Sequence, residues 1–170
     1  MPTPATLRGQ QQAAPWIRGP LLSPFFGLLP PGLLKRLKDF FVYNVDFINL
    51  AAAGTVTNVI GIQADSDFLV VSVNLTARQH AAPQTVVRPA PMLITIQDQG
   101  SGRNFQNLAT DADNLVGNGL TPGYLEYAKL VRANSVISVT LQNLDGGVAF
   151  DVRVALRGFK VFTAIPEQQV

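Results

Sequence analysis

The chain of 170 residues contains no cysteine, a single histidine and few charged residues, which make up 14% of the sequence. Without cysteine it cannot form a disulfide framework, a thiolate zinc site or a cysteine nucleophile. Its longest apolar stretch is interrupted by Pro24, Pro30 and Pro31. We therefore expect neither a signal peptide nor a membrane span, which needs about 20 uninterrupted apolar residues. The length suits one domain with an appendage.

Basic and acidic residues are unevenly distributed along the chain. Residues 1–38 carry five basic residues and no acid, whereas residues 39–170 carry eight basic and eleven acidic residues. The high pI of about 9.2 therefore originates in the N-terminal segment. Basic residues are sparse and are not interleaved with aromatic ones, so we expect no specific nucleic-acid partner.

Residues 1–37 are predicted to form an extended arm, and residues 38–170 a separate β domain. Seven of the twelve prolines lie between Pro2 and Pro31, and proline lacks the amide donor that a long helix or central strand needs. The segment also carries large apolar side chains, which need a surface to cover them. The predicted anchors are Trp16, Ile17, Leu21, Leu22, Phe25, Phe26, Leu28 and Leu29. The arm either folds over its own domain or docks on a neighbouring subunit.

Alternation of apolar and polar residues with a period of two predicts antiparallel strands from residue 39 to residue 162. The clearest are Ser135–Gln142 and Val148–Arg157. The apolar faces predicted for them contain Ile137, Val139 and Leu141 in the first strand and Val152, Val154 and Leu156 in the second, with Asp151 and Arg153 on the opposite face. Asp145-Gly146 lies between the two strands and is typical of a hairpin turn, so we expect these strands to pair with each other. Gly158 then indicates a bulge or bend.

Further strands are predicted at residues 39–48, 55–62, 68–77 and 92–97, and residues 124–132 are predicted to form either a strand or an irregular edge. In the third predicted strand of the chain, Leu69, Val71, Val73 and Leu75 are expected to face the core. The pattern shows no strand–helix–strand spacing. It predicts an all-β fold, an antiparallel two-sheet sandwich of the jelly-roll type.

Residues able to perform chemistry are few. His80 lies in a predicted loop with no acid beside it in the sequence, so we expect an ordinary loop residue. Asp65 and Asp67, and likewise Asp111 and Asp113, are oxygen-bearing pairs of the kind that can hold calcium. Neither pair has the spacing of a helix–loop–helix calcium site, and such residues in turns usually bond their own backbone. We expect no catalytic residue, no metal and no cofactor.

Four stretches of strand and turn carry a family resemblance: Gln63–Phe68, Ile94–Arg103, Arg132–Thr140 and Leu156–Phe162. In their order and pattern they resemble the jelly-roll cement or decoration proteins on the heads of tailed bacteriophages. The resemblance covers Asp39–Phe162 and rests on strand and turn patterns rather than on catalytic motifs.

The resemblance implies a non-enzymatic virion protein, assembled in the host cytoplasm and placed on the capsid surface. Its partners would be the phage major capsid protein and further copies of itself, as a homodimer or homotrimer. By analogy, the turn at Arg103 is a candidate contact. The alternative is a tail, collar or head-fibre component with a receptor- or glycan-binding sandwich. A jelly-roll hydrolase would need a metal triad or carboxylate pair, and no readable spacing of either occurs.

Overall fold

The computed structural model describes residues 37–81, 90–117, 121 and 123–162. The predicted arm anchors, Trp16 to Leu29, lie outside these residues. The described part forms nine strands and one helical turn, Ala112–Leu115, and contains no helix long and apolar enough to span a membrane. The strands are β1 (Leu37–Leu50), β2 (Thr55–Gly61), β3 (Asp67–Gln79), β4 (Met92–Asp98), β5 (Arg103–Asn104), β6 (Thr110–Asp111), β7 (Gly123–Val131), β8 (Val136–Asn143) and β9 (Phe150–Val161).

The strands form two antiparallel sheets with the orders β1-β9-β3-β7 and β2-β8-β4-β5, and β6 also pairs with β4. Strands early in the chain pair with strands late in it: β1 with β9, β2 with β8, and β3 with β7. The β9–β3 and β8–β4 pairings then close this long double ribbon into a roll. This strand order is that of a jelly roll, so the predicted fold is confirmed.

The core lies between the sheets and is built by alternating residues. In β8, Ile137, Val139 and Leu141 are fully buried, and β9 contributes Val154 and Leu156 at the same level of burial. Their sequence neighbours on the opposite face are mostly polar, as half-buried strands require. The inward faces predicted for β8 and β9 are therefore confirmed.

The predicted hairpin between these two strands is wrong, because β8 and β9 lie in different sheets. The Asp145 carboxylate accepts hydrogen bonds from the Gly147 and Val148 amides, which shapes a connection that crosses from one sheet to the other. Alternation shows which face of a strand is buried, but two strands facing each other across a core alternate just as two neighbours in a sheet do. An Asp-Gly turn fits both arrangements.

The orientation predicted for β3 is correct only in its second half. The register of β3 against β9 shifts between Val70 and Ser72, where β3 holds one extra residue. Phe68 and Val70 consequently belong to the core before the shift, and Val73 after it. Leu69 and Val71 are buried outside this core cluster. A bulge reverses the alternation of buried and exposed residues, and the local sequence pattern does not predict it.

Gly158 has a different role from the one predicted. Strand β9 runs through it without interruption from Phe150 to Val161, and the bulge lies opposite, in β3. A Cβ added at Gly158 would collide with the backbone carbonyl of Leu69 and touch the ring of Phe68. The glycine therefore permits a close approach of two backbones.

Replacing Gly158 with alanine should destabilise the fold by about 1–3 kcal/mol, because the new methyl group forces two central strands apart. Urea unfolding followed by circular dichroism measures the change. Gly146→Ala is the matched control, since a Cβ there has open space around it. Equal stability of the two variants would contradict the close approach.

Candidate functional site

A cleft of about 450 Å³ opens near one end of the sheet that contains β1, β9 and β3. Asp46, Arg153 and Thr76 lie side by side across these strands, and Asp151 is opposite Arg78. The cleft is lined by Asp46, Phe47, Ile48, Thr76, Arg78, Asp151, Val152 and Arg153. Two aspartates and two arginines alternate over this surface, so its formal charges balance.

Asp46 and Arg153 form a two-pronged ion pair along one wall, with Oδ1···Nε at 2.6 Å and Oδ2···Nη2 at 2.9 Å. The hydrogen-bonded guanidinium of Arg153 lowers the pKa of Asp46, against a smaller opposing effect of burial. Both side chains are about half exposed, at 46% and 63%. Solvent screens pairs of this kind, so the pair orders the wall more than it stabilises the fold.

His80 and Asp151 form a second pair, with Nδ1···Oδ1 at 2.8 Å. The expectation that no acid orients His80 is therefore wrong: the two residues are 71 positions apart and meet because β9 pairs with β3. Asp151 also accepts a hydrogen bond from the Asn49 amide. Burial by itself would raise the pKa of Asp151, but the Asn49 amide and the His80 ring outweigh it and hold that pKa below its ordinary value.

Among the described residues, the cleft presents charged and hydrogen-bonding side chains. An imidazole oriented by a carboxylate resembles the base half of a triad, and Thr76 provides the single hydroxyl among the lining residues that the structure describes. Within the described ranges, no hydrogen bond joins His80 to a hydroxyl, and no three His, Cys, Asp or Glu side chains are grouped to hold a metal. Arg78 has no hydrogen-bond or ion-pair partner among the residues that the structure describes.

Of the two acidic pairs weighed as calcium sites, Asp65 and Asp67 are bound by basic side chains of the chain itself. Asp65 accepts a hydrogen bond from Lys160 at 3.0 Å, and this contact, followed by one from Ser66, lowers the pKa of Asp65. Asp67 pairs with Arg132 at 2.9 Å and accepts the Ala133 amide. These contacts support the interpretation of Asp65 and Asp67 as structural residues of a turn.

Arg103, the candidate contact residue, is exposed at the start of β5. The turn before it is organised by Asp98, which accepts the Gly100 amide and the hydroxyls of Ser101 and Ser135. Gly102 has a φ of +67°, a conformation that favours glycine. The sequence thus identified a well-ordered turn that displays Arg103, while the contact itself stays a prediction.

The cleft was missed because its members are far apart in the sequence. Asp151 and Arg153 were assigned to the outward face of their strand from alternation, and that signal was correct. Their partners, Asp46 and His80, depend on the registers of β1 and β3 against β9. No local pattern encodes those registers.

Replacing Asp151 with asparagine should make the free energy of unfolding depend less steeply on pH in acid. The folded-state pKa of Asp151 lies below its ordinary value, so this carboxylate contributes stability above about pH 4 and loses it as the pH falls through the folded pKa. Urea unfolding at a series of pH values from neutral to about pH 2 measures the slope. Asp113→Asn, which removes an exposed carboxylate on the helical turn, is the matched control. Equal slopes in wild type and D151N would contradict this reading.

Comparison with known proteins gives no family for this chain. No family model matches it, and no curated protein matches it. Among solved structures, the chain is similar to the VP2 subviral particle of infectious bursal disease virus, with 14% identity and a TM-score of 0.25. The alignment covers 74% of this chain and 42% of that one, so this chain spans less than half of its length. A TM-score of this size assigns no function.

Proposed function

We propose that this chain is a non-enzymatic structural protein of a virus particle. In its specific form, the proposal is a cement or decoration protein that binds the major capsid protein of a tailed bacteriophage and stabilises the head. The observation that carries it is the strand order β1-β9-β3-β7 and β2-β8-β4-β5. Jelly rolls of this kind occur in viral capsid proteins, lectins and cupins.

The chemistry of the chain favours the first of these three classes. A cupin needs a cluster of metal ligands, and this chain has one histidine and no cysteine. The described lining of the cleft at Asp46 and Arg153 has balanced formal charges and one hydroxyl, which suits contact with a protein surface better than catalysis. A non-enzymatic role follows from this proposal.

The arm supplies the means of attachment in this proposal. Its aromatic and aliphatic anchors would dock into grooves of the shell, where each Å² of apolar surface removed from water contributes roughly 25 cal/mol before the cost of ordering. Buried aromatic residues dominate the energetics of such interfaces, which gives Trp16 and Phe25 the largest expected share. Many identical contacts over a shell would then oppose its internal pressure.

A second candidate function is a receptor- or glycan-binding sandwich of a tail, collar or head fibre. The observation that favours it is Tyr127, which is 69% exposed on β7, with Tyr124 at 38% on the same strand. Exposed aromatic rings are typical contacts for ligands with both apolar and polar faces. Specific binding on a glycan array, lost in Tyr127→Ala, would move this candidate ahead of the capsid role.

Changing Trp16 and Phe25 together to alanine in the full chain should weaken binding to particles stripped of this protein by about a hundredfold or more, because two large anchors are lost. Co-sedimentation with the stripped heads measures binding. Circular dichroism shows whether the β domain stays folded. Leu130→Ala with Leu144→Ala is the matched control, because both leucine side chains are already partly exposed, at 39% and 46%, and neither lines the charged cleft.

Unchanged co-sedimentation of the Trp16 and Phe25 variant would contradict docking by the arm. Loss of the β-domain signal in that variant would show instead that the arm covers its own domain. Failure of the wild-type chain itself to bind heads would remove the capsid role and leave the receptor-binding candidate.

A further inference from the structure

The two sheets end laterally in strands whose outer backbone groups face away from any neighbour in the sheet. The first sheet is bordered by β1 and β7; the second is bordered by β2 on one side and by the two-residue strands β5 and β6 on the other. Such edges attract strands from other molecules, and proteins usually protect them with charges, bulges, proline or short length.

Every described edge except β2 carries a protective feature. Strand β1 bears Asp39 and Asp46 and has an irregular register near Asn49, whose φ is +56°. The Asn58 side-chain amide also caps the Asp46 carbonyl, with a 2.7 Å hydrogen bond. Strand β7 bears the exposed charges Glu126 and Lys129, and its register against β3 is broken.

Strand β2 has none of these protective features. Its seven residues, Thr55–Gly61, include no charge and no proline, and all seven pair with β8 in an unbroken register. Most of its side chains are exposed, and Val59 is exposed to 60%. An uncharged, regular strand of this length is the kind of edge to which another strand can be added.

The hydrogen-bond pattern shows which residues of β2 face outward. The Ile62 amide donates to the Ser135 carbonyl, and the Gly54 carbonyl accepts the Asn143 amide, so even-numbered residues direct their backbone groups toward β8. Thr55, Thr57, Val59 and Gly61 therefore direct theirs to the open side. In the part of the chain that the structure describes, no backbone hydrogen bond reaches these four residues from that side.

We infer that β2 pairs antiparallel with β2 of a second copy of this chain, about a two-fold axis that passes through Asn58. In this register Thr57 is opposite the partner copy's Val59, and Thr55 is opposite its Gly61. All four outward-facing residues of each strand then form backbone hydrogen bonds, whereas an axis through a neighbouring residue leaves one end unpaired. The pairing joins the two β2-β8-β4 sheets into one continuous sheet.

The absence of charge on β2 favours a second copy as the occupant. When a strand pairs with itself, a charged residue near the axis comes close to its own copy, which is unfavourable. Here the neighbouring pairs consist of Thr, Val, Gly and Asn. The adjacent outward face is also uncharged and is aligned by the Thr57–Thr140 hydroxyl contact at 2.7 Å. In the two-fold arrangement the β2 edges of both copies are paired with each other and cannot bind a third copy. The assembly is therefore a closed dimer.

This inference does not depend on the proposed virion role, because it follows from the β2 edge and not from the arm. It selects the dimer from the two oligomers expected for this chain. Loss of particle binding with an intact dimer, or the reverse, would separate the two proposals experimentally.

Val59→Pro in the full chain tests the edge. The Val59 amide points to the open side, so proline removes a hydrogen bond of the dimer while keeping every bond to β8. The dimer dissociation constant, measured by sedimentation equilibrium, should rise by about tenfold or more, because one bond is lost from each copy. Val59→Thr keeps the amide and the β-branched shape, and it should leave the constant unchanged.

An introduced cysteine tests the register of the β2–β2 pairing. It also tests the dimer independently if the proline variant does not fold. The chain has no cysteine, so a single introduced thiol reports on one site. Residues paired at the axis have Cα atoms about 4.5 Å apart, within disulfide range. Asn58→Cys should therefore form a linked dimer under mild oxidation. Thr55→Cys places its two thiols about 20 Å apart in the dimer, because six residues separate them along the strand, and should remain unlinked.

Three results would overturn the inference. One is a wild-type chain that remains monomeric over about a hundredfold range of concentration reaching the millimolar region. Another is a dissociation constant that Val59→Pro leaves unchanged. The third is equal cross-linking at positions 55 and 58, which would indicate random collision instead of a fixed register.

Discussion

The burial of two alternating apolar faces against each other is the interaction on which the rest of this structure depends. Strand β9 lies between β1 and β3, and its Val154 and Leu156 meet the core from one sheet while Ile137 and Val139 of β8 meet it from the other. Each strand exposes polar residues on its opposite face. Without the second sheet, neither face would leave water, so the pairing of strands within each sheet and the packing between sheets stabilise each other.

Polar side chains near the ends of the strands fix the connections that the apolar core leaves undetermined. Asn143 is 1% exposed and donates to the carbonyls of Ala51 and Val148, which links the β1–β2 turn to the β8–β9 connection. Asp98 likewise joins the turn after β4 to Ser135 before β8. A buried polar group without such partners would cost free energy, so these residues specify one arrangement of the loops.

The properties that matter for function lie on the outside of this framework and differ between its sides. The charged residues near the end of β1, β9 and β3 form an ordered, balanced cleft, whereas β2 presents an uncharged edge. A protein of an assembly uses both kinds of surface. Charged surfaces fix the orientation of a partner, and a regular strand edge forms the same contact in every copy. The jelly roll holds both at fixed positions, which is consistent with the proposed role in an assembly.

The sequence by itself determined the all-β class, the inward residues of β8 and β9, and the exposed turn that carries Arg103. Alternation and turn residues encode these features locally, within a few positions. Only the tertiary structure decided that β8 and β9 lie in different sheets, that β3 reverses its alternation at a bulge, and that His80 meets Asp151. These features depend on which strands become neighbours and in which register. That choice is made by the burial of the whole core, because many pairings of the same alternating strands satisfy the local pattern equally well.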